Sequence, residues 1–206
     1  MNGSDKKPGS KKIIVAICGA SGVIYGLRLL KALLERDTCV YLIVSAAGKQ
    51  VLGHETAYTG QPFEDFLTSY GVVFSGNSTL TVLDSHDFFT PPASGSFRHQ
   101  GMVVAPCTMG TLSAIAGGSG DNLIHRAADV CLKERRPLIL VPRETPLNLI
   151  HMENMVKAAR AGATVLPAAP SFYTRPASVE ALVDTVVARI LDHLDINQDL
   201  VKPWAE

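Results

Sequence analysis

The chain has 206 residues, 47% of them hydrophobic, with 19 Lys and Arg against 19 Asp and Glu. Zero formal charge removes any general electrostatic case for nucleic acid or an anionic membrane surface, so a basic site must be local. No apolar run approaches the roughly 20 residues of a membrane span, and the length suits one α/β domain that buries a sheet between helix layers. The first residues, MNGSDKKPGSKK, have no apolar signal core and read as a disordered lead-in over 1–11; the domain follows over 12–196 and a tail over 197–206. Cys18, Cys39, Cys107 and Cys131 show no C-x-x-C spacing, which argues for reduced, buried thiols in a cytoplasmic protein and against a zinc knuckle or redox pair.

Residues 12–26, KIIVAICGASGVIYG, read as a buried strand over 13–17, a glycine turn and a helix. Gly19, Gly22 and Gly26 let the backbone turn sharply and lie close to whatever sits above the strand end. Ser21 falls where a helix would begin, placing its hydroxyl to cap the helix or meet a bound anion. The same glycines would also serve a tight βα turn with nothing bound. The spacing is G-x-x-G-x-x-x-G, not the G-x-G-x-x-G of dinucleotide sites, and the next strand, over 39–44, ends at Ser45 instead of an acid. A serine there suits a phosphate better than a ribose diol, which favours a mononucleotide such as FMN over NAD.

A helix is expected over 25–35, with Leu27, Leu30 and Leu34 at helical spacing, then a short helix over 46–56 ending in HET, where Glu55 by itself reads as solvated. A further short helix over 63–70 and a strand over 79–83 lead into SHDFFTPPASGSF, whose prolines and glycine forbid a regular element. The strand over 101–105 runs into Pro106-Cys107-Thr108-Met109-Gly110-Thr111 and a helix over 112–116, a second strand-turn-helix with hydroxyls at the turn. Two such anion cradles fit a doubly wound, Rossmann-like parallel sheet with helices on both faces, whose ligands sit at the carboxyl ends of the strands. On the helix over 121–135, Arg126 and Lys133 share a face with Asp129, which alone reads as a surface ion-pair ladder. Arg143 and Glu144 follow the strand over 137–141 at its carboxyl end, where a site belongs more than a core. A helix over 147–161, a strand over 163–166, the loop PAAPSFYTRP with Tyr173 and Arg175, and a helix over 179–194 complete the chain.

Taken together, GASGVIYG, HET, PPASGSF, APCTMGTLSAIAGG, DNLIHRAADVCLKERRPLILVPRETPL and PAAPSFYTRP resemble, in order, the UbiX-type flavin prenyltransferases. The resemblance implies transfer of a dimethylallyl group from a dimethylallyl phosphate to reduced FMN, at N5 and then C6, with the product passed to a UbiD-type decarboxylase. It further implies a homo-oligomer, a dodecamer in the family, with sites between subunits. Matched by motif, Gly19, Ala20, Ser21, Ser45, Thr108, Met109, Gly110, Thr111 and Arg143 correspond to flavin contacts, and Arg126, Lys133, Tyr173 and Arg189 to prenyl-phosphate contacts. Ser21, Glu55 and Glu144 correspond to the residues that move protons near the flavin, which replaces the solvated reading of Glu55. Some relatives carry a lysine where this chain has Gly110, a difference expected to bear on phosphate affinity. The chain has no D-D-x-x-D for Mg²⁺, and clustered Arg and Lys can stabilise a leaving phosphate without metal. Two expectations remain open here: that burial raises Glu55 enough to make it a base, against the departing phosphate as acceptor, and that Trp204 shelters an allylic cation beside the flavin.

Overall fold

The computed structural model describes residues 11–202. Trp204 and nearly all of the expected lead-in lie outside the described residues; Lys11, its last residue, is already strand. β1 (Lys11–Ile17) carries five consecutive fully buried side chains, the signature of a strand covered on both faces. Beside it lie β2 (Thr38–Val44) and β3 (Thr79–Leu83) on one side, and β4 (Gly101–Cys107), β5 (Leu138–Pro142) and β6 (Thr164–Val165) on the other. The order is β3-β2-β1-β4-β5-β6 and every pairing is parallel, so the chain reverses direction between β1 and β4. That reversal opens a crevice at the carboxyl ends of the two strands.

The helices divide between the two faces of the sheet. α1 (Ile24–Leu34), α2 (Ala46–Glu55) and α3 (Phe63–Ser69) cover one face with α7 (Val179–His193), around a core that includes Leu27, Leu30, Phe66 and Val187. α4 (Met109–Gly117), α5 (Leu123–Lys133) and α6 (Leu149–Arg160) cover the other, around Ile14, Val104, Leu112 and Ala127. Arg28 of α1 makes a two-pronged bond to Asp184 of α7, Nε to Oδ1 at 2.7 Å plus a second from Nη2. That hydrogen bond is the first cause raising the Arg28 pKa. None of the described helices is long and apolar enough to cross a membrane.

Two elements differ instructively from the sequence reading. β4 continues through Pro106 to Cys107, two residues beyond the expected end. Proline lacks an N–H but keeps its carbonyl, which accepts from Cys18 N at 3.2 Å, and the register with β5 shifts between Val104 and Cys107 to absorb the missing donor. α1 begins at Ile24 after Val23, so Ser21 lies before the helix and does not cap it. The chain after α7 turns back onto the fold: Ile196, the last residue of the expected domain, is buried, and Leu200 in the expected tail packs against the first core.

Candidate active site

α1, α2 and α4 each start at the carboxyl end of the strand before them, so three helix N-termini converge on the crevice. Glycines make the approach possible. A Cβ on Gly19 would strike Ala47, one on Gly48 would lie 2.6 Å from the Ile17 carbonyl, and one on Gly26 would lie 2.5 Å from the Ala105 carbonyl. Ser45 and Thr108 are the N-caps of α2 and α4, accepting from Gly48 N at 2.9 Å and Thr111 N at 3.1 Å. Thr111 in turn donates to Cys18 Sγ at 3.4 Å; burial pushes that thiol up to about 11, leaving it an inert neutral packing group.

The α1 N-terminus differs from the other two. Gly22 N donates to both oxygens of Glu55, at 3.1 and 2.9 Å, and Val23 N donates to Oε2 at 3.0 Å. Gly22 takes a positive φ of 98°, which turns its amide toward the carboxylate. The protein's own carboxylate therefore fills the first anion cradle, and α2 and α4 are left for a phosphate. The effect on Glu55 runs against the condition under which it would be a base. Burial raises its pKa, but the Ser21 hydroxyl, the two amides and the Arg143 charge outweigh it and hold the carboxyl below its usual range. Arg143, at the end of β5, donates from Nε to the Ser21 carbonyl at 2.7 Å, so Ser21, Glu55 and Arg143 form one group. Tyr25 borders it, its ring 3.3 Å from where a Gly22 Cβ would sit and its hydroxyl 3.5 Å from the Ala168 carbonyl. Glu144 stands apart and exposed, accepting from the next residue's amide at 3.0 Å.

Arg126 and Lys133 stand at the two ends of α5, and Lys133 lies away from the crevice. α5 runs back along the sheet, so Lys133 in its last turn precedes the amino end of β5, while Ser21 and Arg143 follow carboxyl ends. The five residues of β5 between Lys133 and Arg143 rise about 16 Å, which separates Lys133 from the crevice of its own chain. Arg126 pairs with Asp129 at 2.9 Å as the helical spacing implies; Lys133 pairs with Glu134, not with Asp129. Arg189 is exposed on α7, across the sheet from α5, and pairs with Asp192 at 2.7 Å. Tyr173 lies in the loop before α7, half exposed. One chain brings the flavin-type residues together and does not bring the four expected phosphate contacts together. A cavity of about 500 Å³ is lined by Phe172, Arg175, Pro176, Val179 and Leu182 and shares none of these with the crevice residues. Among the described residues no cluster of three or more His, Cys, Asp or Glu has the arrangement of a metal site.

The residue types at the crevice fit a mononucleotide: hydroxyls of Ser45, Thr108 and Thr111, two helix N-termini, Arg143, close backbone approach, and no acid after β2 for a ribose diol. A doubly wound domain with such a crevice defines the class as a nucleotide-binding flavoprotein type. The flavoprotein family model matches residues 1–191. The flavin prenyltransferase UbiX of Pseudomonas aeruginosa is 50% identical over 202 residues, 96% of each chain. Among solved structures, AnUbiX in complex with FMN and dimethylallyl pyrophosphate has a TM-score of 0.85 at 38% identity, covering 96% of this chain and 98% of that one. A dodecameric FMN-dependent UbiX-like decarboxylase from Escherichia coli O157:H7 has a TM-score of 0.82 at 38% identity, covering 95% and 100%. The chain belongs to the flavoprotein family and, within it, to the UbiX-type flavin prenyltransferases.

Proposed function

We propose that this chain transfers a dimethylallyl group from dimethylallyl phosphate to reduced FMN, at N5 and then C6, without metal, and supplies the product to a UbiD-type decarboxylase. The observation that carries the reading is a crevice whose hydroxyls and helix N-termini suit a flavin phosphate, in a chain half identical to a flavin prenyltransferase. Reduced FMN, when bound, supplies the nucleophilic ring atoms. Ser45, Thr108, Thr111 and the N-termini of α2 and α4 would hold its phosphate, with Gly19, Ala20, Met109 and Gly110 lining the backbone around it.

The chain's own groups divide the remaining work. Arg126, Lys133 and Arg189, with the Tyr173 hydroxyl, stabilise the phosphate as the allylic C–O bond breaks; charge-assisted bonds in a water-poor site are strong enough to replace a metal. Because these residues lie on opposite faces of the sheet and Lys133 is a strand length from Arg143, a second copy must bring them to the crevice. A homo-oligomer with shared sites is part of this reading, and the dodecameric Escherichia coli relative supports it. Glu55, held as an anion by three donors and Arg143, is a poor proton acceptor; it orients Ser21 and the α1 turn, and the departing phosphate is the stronger base. Glu144, at the exposed rim, exchanges protons with solvent. A cytoplasmic setting accords with four free cysteines, of which Cys18, Cys107 and Cys131 are buried.

The test is anaerobic incubation of the protein with reduced FMN and dimethylallyl monophosphate, without added metal, followed by mass spectrometry of the extracted flavin. A gain of one dimethylallyl unit, lost in Lys133→Ala, is expected. Unmodified flavin that binds tightly would overturn the transferase reading, and failure to bind FMN would overturn the crevice.

A further inference from the structure

The segment between β3 and β4 has no regular structure beyond a single 3-10 turn over Pro91–Ala93, yet it is bound along its length to α5. Arg136, just past the end of α5, donates from Nη1 to the Phe97 carbonyl at 2.7 Å and from Nη2 to the Gly95 carbonyl at 2.6 Å. Arg126 donates from Nε to the Ala93 carbonyl at 3.1 Å. Two guanidiniums thus hold three carbonyls of one turn, in charge-assisted bonds that a planar fork makes and an ammonium cannot duplicate. The Phe97 ring anchors the far end, edge-on to Tyr41 at 4.9 Å and stacked on His99 at 5.7 Å. Where the segment passes α5 the fit is tight: a Cβ on Gly95 would strike the Glu134 carboxylate and lie 2.9 Å from Lys133 Nζ.

From this geometry we propose that Arg136 is a positioning residue for the prenyl donor: by fixing the turn over 94–97 against α5, it sets where Lys133 and Arg126 present their charges. The proposal rests on the reading of Lys133 and Arg126 as donor-phosphate contacts. In this proposal Arg136 acts through the turn and not on the donor, because its guanidinium is spent on the two carbonyls. Losing the clamp leaves the sheet, the crevice and the flavin contacts in place, because they lie at the opposite ends of the strands. The donor then meets cations that must be ordered on binding, a cost in donor affinity before any cost in chemistry.

The experiment compares wild type, Arg136→Met, Arg136→Lys and Lys133→Ala for three quantities: KM for dimethylallyl monophosphate, FMN affinity by fluorescence quenching, and hydrogen exchange of the amides over 94–97. Arg136→Met is expected to raise the KM about tenfold or more, to speed exchange in the turn, and to leave FMN affinity and kcat at saturating donor near wild type. Arg136→Lys, which can keep one of the two bonds, should fall between. If Arg136→Met does not fold, Arg136→Gln, the same direction with a neutral donor, takes its place. An unchanged KM in the Arg136 variants beside a raised KM in Lys133→Ala overturns the proposal alone. An unchanged KM in all of them overturns the donor-site reading and the proposal with it. Faster exchange accompanied by an equal loss of FMN affinity would show a general structural role, and overturns it too.

Discussion

At the carboxyl ends of the strands, polar groups are tied to one another: Glu55 takes the Gly22 and Val23 amides, Arg143 takes the Ser21 carbonyl, and Ser45 and Thr108 close the helices behind them. On α5 and α7 the cations stand at the surface, each beside a carboxylate one or three residues away: Lys133 with Glu134, Arg126 with Asp129, Arg189 with Asp192. The first region is preorganised by backbone geometry within one chain. The second holds its charges in neutralised pairs that exposure to water makes weak. On the proposed function, a site assembled from the two is rigid toward the cofactor, with its donor contacts completed by a partner copy.

The sharpest way to break this contrast is to remove a cation. Lys133→Ala should lower turnover by about 10²–10³-fold, the scale of one lost transition-state contact to a developing anion, and leave FMN affinity unchanged. Co-expression then tests the division between subunits. Oligomers mixed from Lys133→Ala and Gly26→Val chains, each impaired alone, should exceed the activity of either only if one copy's Lys133 serves another copy's crevice. Activity per wild-type-like site that never recovers would place both groups in one chain.

Gly26→Val attacks the other region. Its Cβ would sit 2.5 Å from the Ala105 carbonyl and 3.0 Å from Ile17, and neither a backbone carbonyl nor a core isoleucine can step aside cheaply. Forcing α1 off β4 should cost about 2–3 kcal/mol, or roughly 5–10 °C in Tm for a chain of this size. FMN binding should fall with it, because the turn over 19–22 moves with α1. A Tm near wild type would show that the crevice is softer than its packing implies.

The two regions also differed in how far the sequence disclosed them. Runs such as IIVAI and LILV followed by glycine, serine or proline mark buried parallel strands and their exits, so the doubly wound fold and the crevice were legible from local pattern. Glu55 was named as a proton-moving residue only by resemblance, and whether burial raises its pKa stayed open: hydrophobic context is visible in a sequence, whereas two amides folded back from residues 22 and 23 are not. Ser21 looked like a cap because hydroxyls before helices often are, but the glycine at positive φ delays the helix to Ile24. Arg136 carried no signal at all beside Arg135 in ERRP; its two carbonyl partners lie about 40 residues away in a segment without periodicity.

The Glu55 environment gives a smaller and pH-dependent effect. Its folded-state pKa lies below the ordinary 4.5, so the ionised carboxylate stabilises the fold above that value and the contribution is lost as pH falls through the lower one. The side chain is exposed, and screening keeps the contribution within about 1 kcal/mol. Glu55→Gln should therefore lower stability slightly at neutral pH and flatten the acid limb of the stability curve below 4.5. Urea unfolding at several pH values measures both; an acid limb identical to wild type would mean that the contacts from Gly22 and Val23 do not favour the charged form.

The least change is expected where a counter-ion is removed from a donor contact. Arg126 is shared between Asp129 Oδ2, at 2.9 Å, and the Ala93 carbonyl. Asp129→Asn keeps the size of the side chain and removes its charge, so Arg126 stays seated on the segment over 93–97 while its positive charge is no longer offset. An exposed pair three residues apart on a helix is worth about 0.3–0.5 kcal/mol, which converts to roughly a twofold gain in affinity for dimethylallyl monophosphate. The gain should be larger at low salt and vanish toward 1 M, where the screening length falls to about 3 Å. A loss of donor affinity would mean that Asp129 aims the guanidinium as well as neutralising it, and the cations on α5 would then be as preorganised as the crevice they face.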